Sequence, residues 1–456
     1  MSQPAPINRK PTLAHRLEYA LYRGAESLLG LINIETAVHV GRSLGKLAWR
    51  ISAKHRMLVT RNLRIATADQ PPALDELEAL VKETFCRAGG NLFGGQKAAT
   101  MKAEEVRAQI SYEGMEHILD PITARRGVVV VWGHMGNWEA LAQLAPELGV
   151  PVTGGPIYRP LENPLLDDLT VQRRTKNGAL LFNRNEGFSK PISVLREGGI
   201  ITVMSDQRAG GHGTLCPFFG RLSSCTPLAS LMARRSGADL VSISISTTSS
   251  GRWHLRVRPL PSKSDTPSLM LHVEEAMRDS LTDVFWFHDR WRVDKERPLC
   301  FFTKESPSKS AGAATQPTRI AVTLPQNDPA AVEFLTATLE MRADVRIDVL
   351  DTGDLPELPN DPRIVAFPWD RSTPAEQIEG ALLRCDTSHP VPLDAVVLLD
   401  NDLALARAAK AIGLRAVIGT GQPGKYWTRR INAPSDAAGW REFAFQITLL
   451  GKNRPK

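Results

Sequence analysis

His134 and Glu139, five positions apart in the stretch WGHMGNWE at 132–139, are the residues of this chain best suited to acid–base chemistry. Five residues along one straight helix would turn the two side chains about 140° apart, so they can meet only if His134 precedes the helix. The sequence allows that break. Gly133 and Gly136 permit a turn, Asn137 is a good N-cap, and Glu139 then falls in the first helical turn, where the dipole favours its ionised form. An ionised Glu139 hydrogen-bonded to one ring nitrogen would fix the tautomer and leave the other nitrogen to take a proton from an alcohol. That is a general-base pair with no covalent nucleophile. The same residues also fit a capped turn around a satisfied histidine, and spacing alone does not choose.

Positioning such a pair needs a strand that ends at His134 and a helix that follows. GVVVVWG at 127–133 is a β-branched run closed by glycine, which predicts a buried parallel strand, and 138–148 predicts the helix. Further strands are expected at 179–182, 200–204 and 238–245, with helices at 75–99, 166–176, 190–197 and 228–236. Strands alternating with helices argue for an α/β fold whose sheet is covered on both faces. The stretch TKESPSKSAGAATQPT at 303–318 has no apolar period and reads as a linker. Beyond it, strand patterns at 319–324, 346–350, 363–367, 395–400 and 416–419 alternate with helical ones at 329–341, 374–384 and 403–412. They predict a small Rossmann-like unit. The chain therefore divides into N-terminal helices (1–60), a catalytic α/β domain (61–302), the linker (303–318) and a second α/β domain (319–456).

Lys and Arg number 56 against 49 Asp and Glu, a net charge of +7 that favours anionic partners: anionic lipid, an acidic carrier protein or nucleic acid. Nucleic acid is disfavoured because no stacking motif or recognised binding module accompanies the charge. The five cysteines are scattered without the close pairs of zinc or redox motifs, so a reducing cytoplasm is the simplest home and no metal is expected. Neither a signal peptide nor an uninterrupted spanning helix is readable. Leu17, Ala20, Leu21, Gly24, Leu28, Leu31 and Ile32 nevertheless follow helical spacing, and Arg42, Lys46, Arg50 and Lys54 form a basic ridge. Both suit a bilayer surface with anionic headgroups, and both suit a helix packed on a core.

His, four residues, then an acid is also the signature of the lysophospholipid acyltransferase superfamily, and the surrounding text resembles its lipid A late-acyltransferase branch. YRPLENPLLDD at 158–168 resembles the family's second block, and SDQRAGGHGTLCPFFGR at 205–221 the block with an Asp-Gln pair and a Pro-Phe-Phe-Gly turn. FWFHDRWRV at 285–293 resembles the aromatic and basic segment that closes the domain. The resemblance implies His134 as base and Glu139 as its partner. It implies an acyl donor carried as an acyl carrier protein or coenzyme A thioester, a membrane glycolipid as acceptor, and no bound cofactor. Arg159 could stabilise the oxyanion formed at the thioester or bind a phosphate. Asn137, Asn163 and Arg174 are expected at the substrate, the last two with Arg173 and Lys176 as phosphate contacts or as a charged helix face. Asp206 and Gln207, directly after a strand, could position substrate or anchor the glycine-rich loop behind them. Phe218 could wall an acyl channel or be core, and Arg290, between aromatics, could lie at a membrane rim or pack.

Two patterns mislead. GRSLG at 41–45 matches the serine-hydrolase motif but sits in a helical ridge, and GTGQPG at 419–424 has dinucleotide spacing but a proline where a phosphate-binding helix should open. The segment 393–421 resembles the nucleotide-sugar half of heptosyltransferases, although Ala406 and Arg407 stand where that family has a histidine. The expected activity is thus peripheral, on the cytoplasmic face of the inner membrane: acyl transfer to a hydroxyl of a lipid A-type glycolipid. The rivals are acylation of a lysophospholipid or mannosyl lipid, and glycosyl transfer or glycolipid binding through 319–456.

Overall fold

The computed structural model of the chain describes residues 10–143, 152–175, 178–300, 314–326, 328–400, 402–420 and 424–448. The strands are β1 (Ile110–Glu113), β2 (Val128–Trp132), β3 (Gly154–Tyr158), β4 (Phe182–Asn183), β5 (Ile200–Met204), β6 (Thr214–Phe218), β7 (Arg221–Cys225), β8 (Asp239–Ser249) and β9 (Arg252–Leu260). Further along come β10 (Thr318–Thr323), β11 (Val345–Asp351), β12 (Ile364–Pro368), β13 (Ala395–Leu398), β14 (Ala416–Gly419) and β15 (Arg429–Arg430). Among the helices are α1 (Leu13–Gly30), α2 (Ile34–Ile51), α3 (Ala53–Ala66), α4 (Leu74–Ala98), α5 (Ala103–Arg107), α6 (Glu116–Thr123), α7 (Pro164–Thr175), α8 (Ser189–Arg196), α9 (Leu228–Ser236) and α10 (Thr266–Arg278). Four more, α11 (Val332–Met341), α12 (Ile378–Thr387), α13 (Leu403–Ala411) and α14 (Ala437–Thr448), follow among the described residues.

Cα proximity resolves two compact units: residues 1–56, 78–207 and 225–288 form the first, and 57–77, 208–224 and 289–456 the second. The chain therefore divides differently from the consecutive segments read from its sequence. Most of α3 and the β6–β7 hairpin group with the C-terminal half, and of the expected linker, 303–313 lies outside the described residues while Thr318 already belongs to β10.

The first unit is built on a seven-stranded sheet in the order β1-β9-β8-β2-β5-β3-β4. β2 pairs in parallel with β5 and β8, and β3 in parallel with β5, while β9 runs antiparallel to β8. All five residues of β2 are buried, which is why its sequence is a continuous apolar run rather than an alternating one. Val128, Val130 and Trp132 share a core with Ile118 and Ile122 of α6, and α9 and α10 also pack on β2. Helices α2 and α4 cross at glycines: a Cβ on Gly41 would come within 2.3 Å of the Gly89 carbonyl oxygen, and one on Gly45 within 2.1 Å of that of Phe85. The hydrolase-like GRSLG is thus a close helix crossing. Its Ser43 hydroxyl simply donates to the His39 carbonyl oxygen at 3.0 Å.

The second unit carries a six-stranded parallel sheet in the order β12-β11-β10-β13-β14-β15. Ile320 and Val322 face one core with Phe334 and Leu335 of α11 and Trp440 and Phe443 of α14. Ala321 and Val396 face the other, with Leu382 of α12 and Leu405 of α13. The expected α/β sheet covered on both faces is therefore present. Of GTGQPG, residues 421–423 lie outside the described ones.

Candidate active site

Three neighbouring parallel strands of the first unit end at one edge, and each delivers a singled-out residue there. Trp132 is level with Met204, so β2 and β5 bring His134 and Asp206 out at the same height. β3, beside β5, ends at Tyr158 and leaves Arg159 exposed just beyond. Carboxyl ends of parallel strands are where open α/β sheets bind ligands, because the loops there are free to carry polar groups.

His134 Nδ1 lies 2.8 Å from Asp206 Oδ1. A carboxylate can only accept, so Nδ1 carries the proton and Nε2 keeps its lone pair. Nε2 has no protein partner among the described residues. Burial works against a charged imidazole here, yet the charge and hydrogen bond of Asp206, followed by Glu139, outweigh it and the opposing Arg174, so His134 titrates above the usual histidine range. The side chain is 21% exposed and that of Asp206 8%, which leaves the imidazole reachable and its partner shielded.

Glu139 does not take Nδ1. It is held by Arg174, Nη2 to Oε1 at 2.6 Å and Nε to Oε2 at 3.3 Å, and it accepts from Trp138 Nε1 at 3.2 Å. The expected direct pair is replaced by a set in which Asp206 fixes the imidazole and Glu139 adds negative charge nearby. The Trp138 ring meets the His134 ring edge-on at 5.5 Å and that of Phe285 at 5.9 Å, so an aromatic pair adjoins the imidazole.

The loop between β2 and the following turn is pinned in an unusual path. Gly136 is left-handed at φ 58°, and a Cβ there would come within 2.4 Å of the Ile245 carbonyl oxygen. Gly136 N–H donates to Asp283 O at 3.0 Å and Phe285 N–H to His134 O at 2.8 Å. Asp283 is itself 4% exposed, and its carboxylate collects Arg87 at 2.6 Å, Asn91 at 3.0 Å, Ser280 at 2.7 Å and the Thr247 N–H at 2.8 Å. This anchor was missed in the sequence, since its remote partners come from α4 and β8, far from Asp283 along the chain. Only its place two residues before the FWFHDRWRV block hinted at it.

The segment after the loop is a 3-10 helix, Trp138–Gln143, and residues 144–151 lie outside the described ones. The Asn137 side chain does not cap it: it is 2% exposed, and neither amide atom has a partner among the described residues. Asn163 is not open to substrate either. Its Nδ2 donates to His15 O at 3.0 Å and Glu18 Oε2 at 2.8 Å, and its Oδ1 accepts from Leu165 N at the start of α7. Arg173 is likewise engaged with Tyr22 and Glu26 of α1. Lys176 lies outside the described residues. Gln207 is exposed beside Asp206.

Phe218 and Arg290 belong to the second unit. Phe218 is fully buried, stacked with Trp291 at 5.9 Å. The guanidinium of Arg290 lies 4.7 Å over the Phe218 ring and donates to the Ser223 hydroxyl and to Ser224 O at 3.1 Å. Of their two expected readings, packing describes these residues.

Residues 8–293 match the family described as bacterial lipid A biosynthesis acyltransferase. The chain is 25% identical over 267 residues to the lipid A biosynthesis lauroyltransferase of Escherichia coli K12, covering 56% of this chain and 85% of that protein. It is 22% identical over 192 residues to a lipid A biosynthesis acyltransferase of Haemophilus influenzae, covering 42% of this chain and 60% of that one. A crystal structure of the 1-acyl-sn-glycerophosphate acyltransferase of Thermotoga maritima aligns over 53% of this chain and 95% of its own at 14% identity. Its TM-score is 0.28, too loose to carry an argument.

Proposed function

The chain belongs to the bacterial lipid A biosynthesis acyltransferase family, and from that premise we propose that it moves a fatty acyl group from a carrier thioester to a hydroxyl of a lipid A-type glycolipid, with His134 as general base. The observation that carries the reading is the 2.8 Å contact of His134 Nδ1 with Asp206 at the carboxyl ends of adjacent parallel strands. Nε2 takes the proton of the acceptor hydroxyl as its oxygen attacks the thioester carbonyl carbon. The C–S bond breaks as the tetrahedral oxyanion collapses, and the departing thiolate receives the proton back from the imidazolium. Arg159, exposed at the end of β3, is suited to the oxyanion or to a phosphate of either substrate. Glu139 and Arg174 set the charge beside the base. Alcohol attack on a thioester balances with a base alone, so no resident cofactor is invoked. An acidic acyl carrier protein fits the net charge of +7, and coenzyme A is the other donor.

Work at a membrane surface is supported by α1. Its Glu26 is buried against Arg173 of α7, whereas Leu13, Leu17, Leu21 and Leu28, with Leu31 just after the helix, are 62–84% exposed. On α2, Leu44, Leu47 and Ile51 are exposed beside Lys46 and Arg50, a composition suited to an anionic bilayer. No described helix is long and apolar enough to cross a membrane. We assign the protein to the cytoplasmic face of the inner membrane.

The test is transfer from labelled acyl carrier protein and, separately, acyl coenzyme A into lipid A precursors held in anionic vesicles. His134→Ala should lower turnover by about 10³-fold or more and Glu139→Ala by about tenfold, since the first removes the base and the second only nearby charge. Transfer undiminished in folded His134→Ala would remove the proposed base. Leu17→Asn with Leu21→Asn should weaken vesicle binding about tenfold or more at an unchanged unfolding midpoint, each leucine losing roughly 1.5–3 kcal/mol of burial. Unchanged binding would remove α1 from the membrane.

A further inference from the structure

Within the second unit, Arg208, Arg221, Arg290, Arg292 and Arg342 line one cavity of about 60 Å³, and no carboxylate lines it among the described residues. Crowding of like charge in a shielded space is costly, so each guanidinium must be answered by something. Arg221 is answered only in part. It is 2% exposed, and its Nη2 pairs with Asp394. That one carboxylate also takes Arg61 at 2.5 Å. Arg221 Nη1 is buried with no hydrogen-bond partner among the described residues. Burial, opposed by Asp394 and reinforced by Arg61, holds Arg221 below the usual arginine range, and burial followed by Arg292 does the same to Arg208. An anion in the cavity would relieve Arg221.

Size and donor geometry narrow the class of anion. A cavity of about 60 Å³ has room for more than a single water, about enough for one tetrahedral oxyanion. Guanidiniums that reach it from β7, from the 290–292 segment and from the residue after α11 come from several directions. That suits the three oxygens and near-double charge of a phosphoryl group better than a flat, singly charged carboxylate. Thr318 and Arg342 of the wall lie beyond residue 293, where the family match ends. The cavity therefore includes residues that lie outside the family match.

We infer that this arginine-lined cavity is a binding site for a phosphoryl group, carried either by free inorganic phosphate or by a phosphorylated lipid headgroup. The site stands independently of the acyl-transfer reading. The experiment is titration calorimetry on the full chain at fixed ionic strength, with inorganic phosphate in one arm and dioctanoyl phosphatidic acid below its micelle concentration in the other. Saturable binding of one equivalent is expected, weakened about tenfold or more in Arg292→Gln and in Arg208→Gln, the loss of one charge-assisted contact. Arg292 is exposed, so its substitution keeps the test valid if Arg208→Gln does not fold. Binding of phosphate identifies a free-anion site, and binding of the lipid alone identifies a headgroup site. Binding of neither, or binding equally tight in folded variants, overturns the inference.

Discussion

Each of the two units buries an aspartate against nitrogen donors beside its sheet, but at opposite ends of the strands. Asp206 follows the carboxyl end of β5 and holds His134 Nδ1, whereas Asp394 precedes the amino end of β13 and holds Arg61 and Arg221. Asp394 also accepts the Arg319 N–H at 2.9 Å, so it ties three segments together. Burial opposes its charge, but Arg221 and then Arg61 outweigh this and hold it below the usual carboxylate range. The chemical difference lies in the partner. Histidine can lose its proton near neutrality and keeps a second nitrogen free, while a guanidinium neither deprotonates nor accepts. A buried carboxylate therefore orients an imidazole at one edge and clasps guanidiniums at the other, and the fold alone does not say which.

Asp206→Asn should break the first arrangement with the largest effect. An amide can present its N–H to Nδ1 and hold the wrong tautomer, so turnover should fall by about 10²–10⁴-fold while the protein stays folded. The surviving activity should lose its base limb from above the usual histidine value, because the wild-type imidazole must be neutral to act and Asp206 is what raises it. A pH–rate profile with the limb unmoved would show that Asp206 does not set the base. The same raised value gives a sign for stability. His134 contributes stability fully present below about pH 6.5, its unfolded value, and lost as pH rises through its higher folded value.

Asp394→Asn should act the other way. One buried guanidinium, Arg221, and one half-buried, Arg61, lose their counter-charge, which costs about 3–5 kcal/mol in denaturant unfolding, while turnover per folded molecule stays within about twofold. Here the linkage is reversed: wild-type stability from Asp394 is present above about pH 3.9 and lost as pH falls through its lower folded value, so the variant should lose part of the acid-unfolding slope. A large fall in turnover with stability intact would show that the clasp reaches the chemistry. Truncation at residue 306 is a poor substitute, because it strips Asp394 from Arg61 and Arg221, which both remain.

Much of this was legible along the chain. The run VVVVW bounded by glycines gave β2 to within a residue, and strands at 200–204 and 416–419 match exactly what period and composition predicted. His134 was found because a strand ending in glycine throws the next polar residue onto the sheet edge. Strands β1 and β9 were not found, since RWHLRVRPL carries charges on its half-exposed face and reads as loop. The amphipathic character of α1 was visible, but which face was buried was not: only the docking of Glu26 on α7 shows that the leucines point out.

The sequence by itself determined many of the elements, the place of His134 after β2 and the resemblance to the family, because hydrophobic period, glycine punctuation and block motifs act over a dozen residues or so. The tertiary structure decided the partners. Asp206 stands 72 positions from His134 and became its partner because β5 is hydrogen-bonded beside β2 in matching register, while Glu139, five positions away, was drawn to Arg174. Strand order, not spacing, selects which carboxylate an imidazole meets, since a hydrogen bond requires proximity in space and is indifferent to distance along the chain.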